Sequence, residues 1–520
     1  MATGTRRGLR RDGNQTGRSK TIPAPVGGLN DRDALADMPE KDAVILENWW
    51  PQPSKLVVRS GSVDWATGFE GPVETIVEYC PTDGLNELFA ASAGDIYDIT
   101  ASGVVDTPVV SGQSNDRWQE AAITTPGGSF LFLFNGQDDP LLYDGTDWES
   151  VNDSSTNAIT GVTTSLLIQG CLFKNRIYMV ERDSLRVWYL PTSSIAGAAT
   201  DFDLGAIFRR GGWLVGMYTW TIDAGEGADD HAVFLTSEGE VAVYAGTDPE
   251  SAETWRLVGL FYLGQPIGRR CAVKVGGDLM VLCEAGVMPL GRALLSSSID
   301  RRAAVSDKIQ NSVNVAVYQY RQNFGWELCM FPEQNALILN IPAGGGRNFQ
   351  YAQNSLTGAW TKFTGWDART VKTTSLGLFF GDSNSVKKAW TGNIDGQSMI
   401  VADALQSFQD FGLTAINKYF TMIRPYVLSD GNPSILYGIN GDYVPQEPTG
   451  SLTYADPGGM VWGQMIWGEM VWGGSIRPLS GWNTVGGVYN AAALRLKVQS
   501  NISNTEWAST SYVFQVAGIL

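Results

Sequence analysis

Few residues in this 520-residue chain could do acid–base, nucleophilic or metal chemistry. His231 is the only histidine, so one chain cannot build a multi-histidine metal centre. A Ser-His-Asp triad would have to use it, yet it follows GEGADD (225–230) and opens a predicted strand. No Gly-x-Ser-x-Gly elbow accompanies it. The acidic pairs Asp138-Asp139, Asp229-Asp230 and Asp201-x-Asp203 have the residue types of a glycosidase acid and base, or of a calcium loop. Such pairs abound in any acidic chain, where their default role is capping turns. GNQTGRSK (13–20) lacks the spacing, the Lys-Ser/Thr ending and the preceding strand of a phosphate loop. Cys80, Cys171, Cys271, Cys283 and Cys329 form an odd set without a CxxC pair. They read as reduced, mostly buried thiols of a protein made in a cytoplasm. No catalytic residue, cofactor or metal is assigned, and the expectation is a protein that is not an enzyme.

The elements that would have to position any site are strands. Sixty glycines and 56 aromatic residues (18 Trp, 18 Tyr, 20 Phe) point to short strands joined by tight turns, an all-β chain. Hairpin signatures recur at 86–100, 130–145, 171–190, 232–246, 278–291, 335–360 and 377–390. With Leu88, Leu131, Phe173, Val233, Leu279, Leu337 and Leu378 as markers, the mean spacing is about 48 residues, close to a propeller blade. A β-propeller of six or seven blades over 63–395 is the expectation, with an irregular β-sandwich as the alternative. From 396 to 520 longer strands predict an additional C-terminal β domain. Within it MVWGQMIWGEMVWGG (460–474) places Trp462, Trp467 and Trp472 five residues apart. That spacing fits neither one helical face nor one strand face. These indoles are core pegs or a patch for a neighbouring subunit.

Charge is uneven along the chain. The formal net charge is −17, yet residues 1–20 carry Arg6, Arg7, Arg10, Arg11, Arg18 and Lys20 against Asp12 alone. An acidic body repels phosphate and argues against tight nucleic-acid binding over its surface. Residues 1–21 read as a flexible basic arm, either a solvated terminus or a docking arm. No apolar h-region follows these charges, and no window approaches a membrane span.

Residues 22–62 read as a docking segment. They contain Val26-Gly27-Gly28-Leu29-Asn30, Met38-Pro39, Asn48-Trp49-Trp50-Pro51 and Arg59-Ser60-Gly61. This run resembles the opening of structural proteins of tailed phages, most specifically the tail nozzle (tail tubular protein B-like) family of short-tailed bacteriophages. The segments 234–270, 354–368 and 418–431 and the Trp-Gly triplet resemble that family too. The resemblance, in patches over 22–520, implies a virion tail protein made in the bacterial cytoplasm. It implies a homo-hexameric ring bound to the adaptor (head-to-tail connector) protein, possible attachment of tail fibres, and transient passage of double-stranded DNA. The basic arm maps onto no part of the family pattern; its cations and the three tryptophans are the expected partner contacts. Protein is favoured over DNA as the arm's partner, since a DNA-gripping arm would slow ejection. A receptor-binding or carbohydrate-cleaving tail propeller is the competing reading.

Overall fold

The computed structural model describes residues 17–223, 228–251, 253–293, 301–452, 476–479, 481–500 and 504–518. The chain is all-β, a β-propeller joined to further β-sheets. Five antiparallel sheets stand alone as blades. The first holds Val73–Tyr79, Glu87–Ser92 and Asp95–Asp98. The second holds Gln119–Thr125, Gly128–Phe134, Leu141–Tyr143 and Trp148–Ser150. The third holds Leu167–Phe173, Arg176–Glu181, Arg186–Tyr189 and Thr200–Asp203. Leu214–Asp223, Ala228–Thr236, Glu240–Gly246 and Trp255–Tyr262 make the fourth, and Ala272–Val275, Asp278–Cys283 and Gly286–Pro289 the fifth.

Two more antiparallel sets, both within a larger 16-stranded sheet, complete the circuit. One runs Glu327–Phe331, Ala336–Ile341, Phe349–Asn354 and Ala359–Phe363. The other runs Thr370–Thr374, Gly377–Gly381 and Ser385–Ala389, and its outer strand is supplied by Ser62–Thr67 from the start of the chain. Apolar cores between neighbouring sets close the ring. Phe379 and Val386 pack with Val73, Ile76 and Leu88, so the last set abuts the first.

Turn chemistry explains the local hairpins. Ala93 (φ 57°) and Gly94 (φ 86°) join strands 87–92 and 95–98, and Lys174 (φ 47°) and Asn175 (φ 59°) join 167–173 and 176–181. Two successive left-handed residues are what a two-residue turn needs to match the strands' twist.

The terminal segments interleave. Asn417–Ser429 pairs with Thr505–Gly518, and onto the latter are added Arg18–Pro23 and Leu56–Val58. Asp42–Glu47 pairs with Ser398–Gln406, which pairs with Ala492–Ser500, which pairs with Ser434–Gly441. Residues 18–21, which composition assigns to a flexible arm, are therefore strand. They pair in the sheet with 511–514, and Ile22 beside them is buried. Among the described residues the longest helix is Gln310–Tyr320, and none is long and apolar enough to cross a membrane.

Candidate functional site

The residues able to do chemistry are engaged in structure. His231 lies mid-strand opposite Trp220, buried, with ring centroids 6.2 Å apart. Asp138 accepts from Asn135 Nδ2 (2.6 Å) and the Ser114 amide (2.8 Å), and Asp139 accepts from Thr164 Oγ1 (2.7 Å). Asp203 accepts from the Gly205 amide (2.7 Å), and Asp230 from Thr221 Oγ1 (2.6 Å). These contacts hold the carboxylates in turns and between neighbouring segments, the donors Ser114 and Thr164 lying 24 and 25 positions from Asp138 and Asp139. No group of three or more His, Cys, Asp or Glu among the described residues could hold a metal ion. Cys271, Cys283 and Cys329 are buried, and burial raises their thiol pKa values to about 11, 12 and 11.

Of the expected partner contacts, Arg6, Arg7, Arg10, Arg11, Trp462, Trp467 and Trp472 lie outside the described residues. Arg18 is exposed opposite Phe514. Lys20 sits 3.8 Å from Glu40 and over the Phe411 ring, so its charge is turned toward its own chain. On strand 417–429, Tyr419, Arg424 and Tyr426 face outward between buried Phe420, Ile423 and Val427. Arg424 stacks 4.9 Å over the exposed Trp482. This face was missed from sequence, because breaks in register after Phe420 and Tyr426 interrupt the simple alternation.

The motifs of residues 22–62 converge on two buried nodes. Asn48, held at φ 57°, accepts from Arg59 Nε (2.8 Å) and the Thr364 amide (2.9 Å), and donates to the Val401 carbonyl (2.9 Å). Arg59 makes a two-pronged pair with Asp395 (3.0 and 2.5 Å) and lies 4.9 Å from the Trp366 ring. A Cβ on Gly61 would overlap the Ile394 carbonyl. In the second node, Asn30 donates to Asp42 (2.8 Å), and Lys308 donates to both Asp42 oxygens (2.9 and 3.1 Å). A Cβ on Gly28 would lie 2.6 Å from the Trp360 amide nitrogen.

A cavity of about 810 Å³ opens where the first strands of the blades begin. Its lining includes Arg117, Arg182, Arg269, Arg270 and Arg321, an arginine concentration unexpected in a chain of net charge −17. Four have close acceptors. Arg117 pairs with Glu74 (3.0 Å), and Arg321 with Glu284 and Gln265. Arg182 donates to the Gly136 carbonyl (2.5 Å). Arg270 ties Thr75 (2.7 Å), the Trp118 carbonyl (3.0 Å) and Thr370 (2.8 Å) together and lies 3.6 Å from Glu327, contacts that reach four of the strand sets. Arg269 is different. Its side chain has one long hydrogen bond, to the Asn135 carbonyl at 3.5 Å, and no carboxylate partner among the described residues. Its side chain is exposed at the cavity, with Asp183, Arg182 and Arg117 as its charged neighbours. No sequence pattern marks this site, since its residues come from separate blades.

No protein-family model matches the chain, and no curated protein does. Similar solved structures are propeller proteins. BBS1N, in its complex with ARL6DN, is 11% identical with a TM-score of 0.40 over 64% of this chain and 98% of that one. PorZ, of the type-IX secretion system of Porphyromonas gingivalis, is 14% identical with a TM-score of 0.36. That match covers 69% of this chain but only 44% of PorZ. YCF48 from Cyanidioschyzon merolae is 10% identical with a TM-score of 0.32, covering 65% of this chain and 96% of that one. No function is carried over from any of them.

Proposed function

We propose that the protein is a tail nozzle subunit of a short-tailed bacteriophage, six copies of which form a ring under the adaptor and conduct the genome during ejection. The observation that carries this reading is the position of the residues behind the resemblance. Gly28, Asn30, Asn48, Arg59 and Gly61 lie at or against the two buried nodes, where a different residue type would break hydrogen bonds or overlap backbone. A resemblance concentrated at such positions speaks for a shared fold rather than shared composition.

Two further features fit. A conduit wall should not hold phosphate, and an acidic chain of net charge −17 meets that need. A closed ring uses two different complementary faces per subunit. Exposed large apolar groups occur on unrelated elements, Tyr419 and Tyr426 on strand 417–429, and Val315 and Tyr318 on helix 310–320.

Cryo-electron microscopy of the assembled particle tests the reading. The expected result is six copies in a closed ring between adaptor and tail tip, around a bore of about 20 Å or more, wide enough for duplex DNA. Another copy number, or a position at the end of a fibre, would replace it with the receptor-binding or carbohydrate-cleaving alternative.

A further inference from the structure

We propose that the outer strand of the fourth blade, Trp255–Tyr262, is a docking edge for a second copy of this chain, the two strands pairing antiparallel about a twofold axis. The proposal is independent of the nozzle reading, since it rests on that blade alone.

The first ground is that this edge is open where the others are closed. A sheet edge carries a row of free N–H and C=O groups, which proteins keep short, charge or cover. In the first set, Asp95–Asp98 is bridged at Ile96 by Val110. The outer strands of the second and third sets are three and four residues long and carry Glu149, and Asp201 with Asp203. In the fifth, Gly286–Pro289 is buried, and the Val287 carbonyl accepts from the Val305 amide. Asp42–Glu47 pairs with the outer strand of the sixth set, and Gly103–Val104 with that of the seventh. Trp255–Tyr262 has eight residues, and its only strand partner among the described residues is Glu240–Gly246.

The second ground is the chemistry of the edge. From Leu257 to Gly264 the run LVGLFYLG holds no charged residue. Leu257, Val258 and Tyr262 are exposed, and Leu260 and Phe261 are half-buried. The Leu263 amide donates inward to the Gly239 carbonyl (2.9 Å). Alternation along the strand therefore turns the main-chain groups of Leu260 and Tyr262 outward, away from Glu240–Gly246. The one irregularity in the pairing lies at Val258, outside this stretch.

Symmetry names the occupant. With Phe261 set on the twofold axis, Leu260 lies opposite Tyr262 of the second copy and Tyr262 opposite its Leu260. Residues so placed exchange both of their outward main-chain hydrogen bonds. Val258 then falls opposite Gly264, and Gly259 opposite Leu263, so the uncharged window 258–264 meets itself throughout and places no charge against another. The edge is thus its own complement. A contact of this kind closes on two copies, which distinguishes it from the heterologous contacts of a ring.

Sedimentation equilibrium of the full-length protein tests this. Self-association that rises with concentration is expected, and hydrogen–deuterium exchange at the Leu260 and Tyr262 amides should slow at high concentration. Tyr262→Pro removes an outward donor from each copy while sparing the inward bonds. Val258→Lys sets an ammonium at the pairing edge. Each should raise the dissociation constant by about tenfold or more. Val258→Lys decides the matter if the proline variant does not fold. Tyr318→Lys, on the exposed face of helix 310–320, should leave the association unchanged. A protein monomeric at every concentration, association unchanged in either folded edge variant, association lost in Tyr318→Lys, or unchanged exchange at Leu260 and Tyr262 would overturn the proposal.

Discussion

Arg59 and Asp395 are 336 positions apart in the chain and meet in a two-pronged ion pair, at 3.0 and 2.5 Å, with Arg59 almost completely buried. Every polar group of the Arg59 side chain is used, on Asp395, Asn48, the Ser60 carbonyl and the Thr364 carbonyl. The Trp366 indole and Ser62 hydroxyl also donate to Asp395. The node therefore joins the amino-terminal segment to the end of the propeller.

Removing one partner leaves the other charge without compensation. Arg59→Met or Asp395→Leu alone should cost about 3–5 kcal/mol of unfolding free energy. The double replacement should cost less than the two single costs together. Urea unfolding of the four proteins gives this directly, and additive costs would show that the pair is not coupled.

Gly61→Ala tests the second constraint at this node. The added methyl overlaps the Ile394 carbonyl, which is backbone and cannot move aside cheaply. A loss of about 4 kcal/mol or more is expected, at the upper end for a single substitution. Gly392→Ala meets no atom within 4 Å but sits at φ 70°, so it should show only the smaller cost of a strained backbone. Thermal melts of the two variants should rank accordingly.

Thiol reactivity should report burial. Cys80 is exposed, while Cys271, Cys283 and Cys329 are buried. Ellman's reagent at pH 8 should label Cys80 fastest and the half-buried Cys171 more slowly, before the three buried thiols, and Cys80→Ser should abolish the fastest phase. Burial raises the folded pKa of Cys271 and Cys329 from 9.0 to about 11. The folded state then holds these protons where the unfolded state has released them. This contribution to stability is complete below pH 9 and is lost as pH rises through about 11.

If the nozzle reading holds, His231→Ala should leave particle assembly and infectivity nearly unchanged, with a modest loss of thermal stability from the emptied space beside Trp220. Infectivity lost while particles assemble normally would point to proton-transfer chemistry at this position.

Deleting residues 2–16 spares the strand that begins at Arg18 and removes Arg6, Arg7, Arg10 and Arg11. If the nozzle reading holds, attachment of the protein to its neighbours should weaken most at low salt, and the difference from the full chain should shrink as salt screens the arm's charges. Normal attachment at every ionic strength would leave the segment without a docking role.

Local periodicity made the propeller legible. Leu88, Leu131, Val233, Leu279, Leu337 and Leu378 each fall in the second strand of their set, and Phe173 falls one strand early. Alternation and turn residues lie within a dozen positions of each other, so a single sequence displays them. The pairing of Arg18–Pro23 with Thr505–Gly518 had no such signal, because nothing in six residues names a partner nearly 500 positions away. For the same reason the charged stretch 18–21 was read by composition as an arm. The arginine mouth was invisible too, since Arg117, Arg182, Arg269 and Arg321 become neighbours only when the blades close around the axis.

The pairing of the two ends also sets an order of events during synthesis. Strand 18–23 emerges long before its partner 505–518. At about 5–20 residues per second the early strand waits roughly 25–100 s for its partner. Strand 62–67 likewise waits for 385–389 before the propeller can shut. Such distant contacts slow folding, because chain entropy is lost before the pairing rewards it. During that interval many nascent chains in one expressing cell display the same open edge. A waiting strand can pair with the 505–518 of another copy, so crowded expression favours exchanged dimers, and slower, cooler synthesis favours the closed single chain.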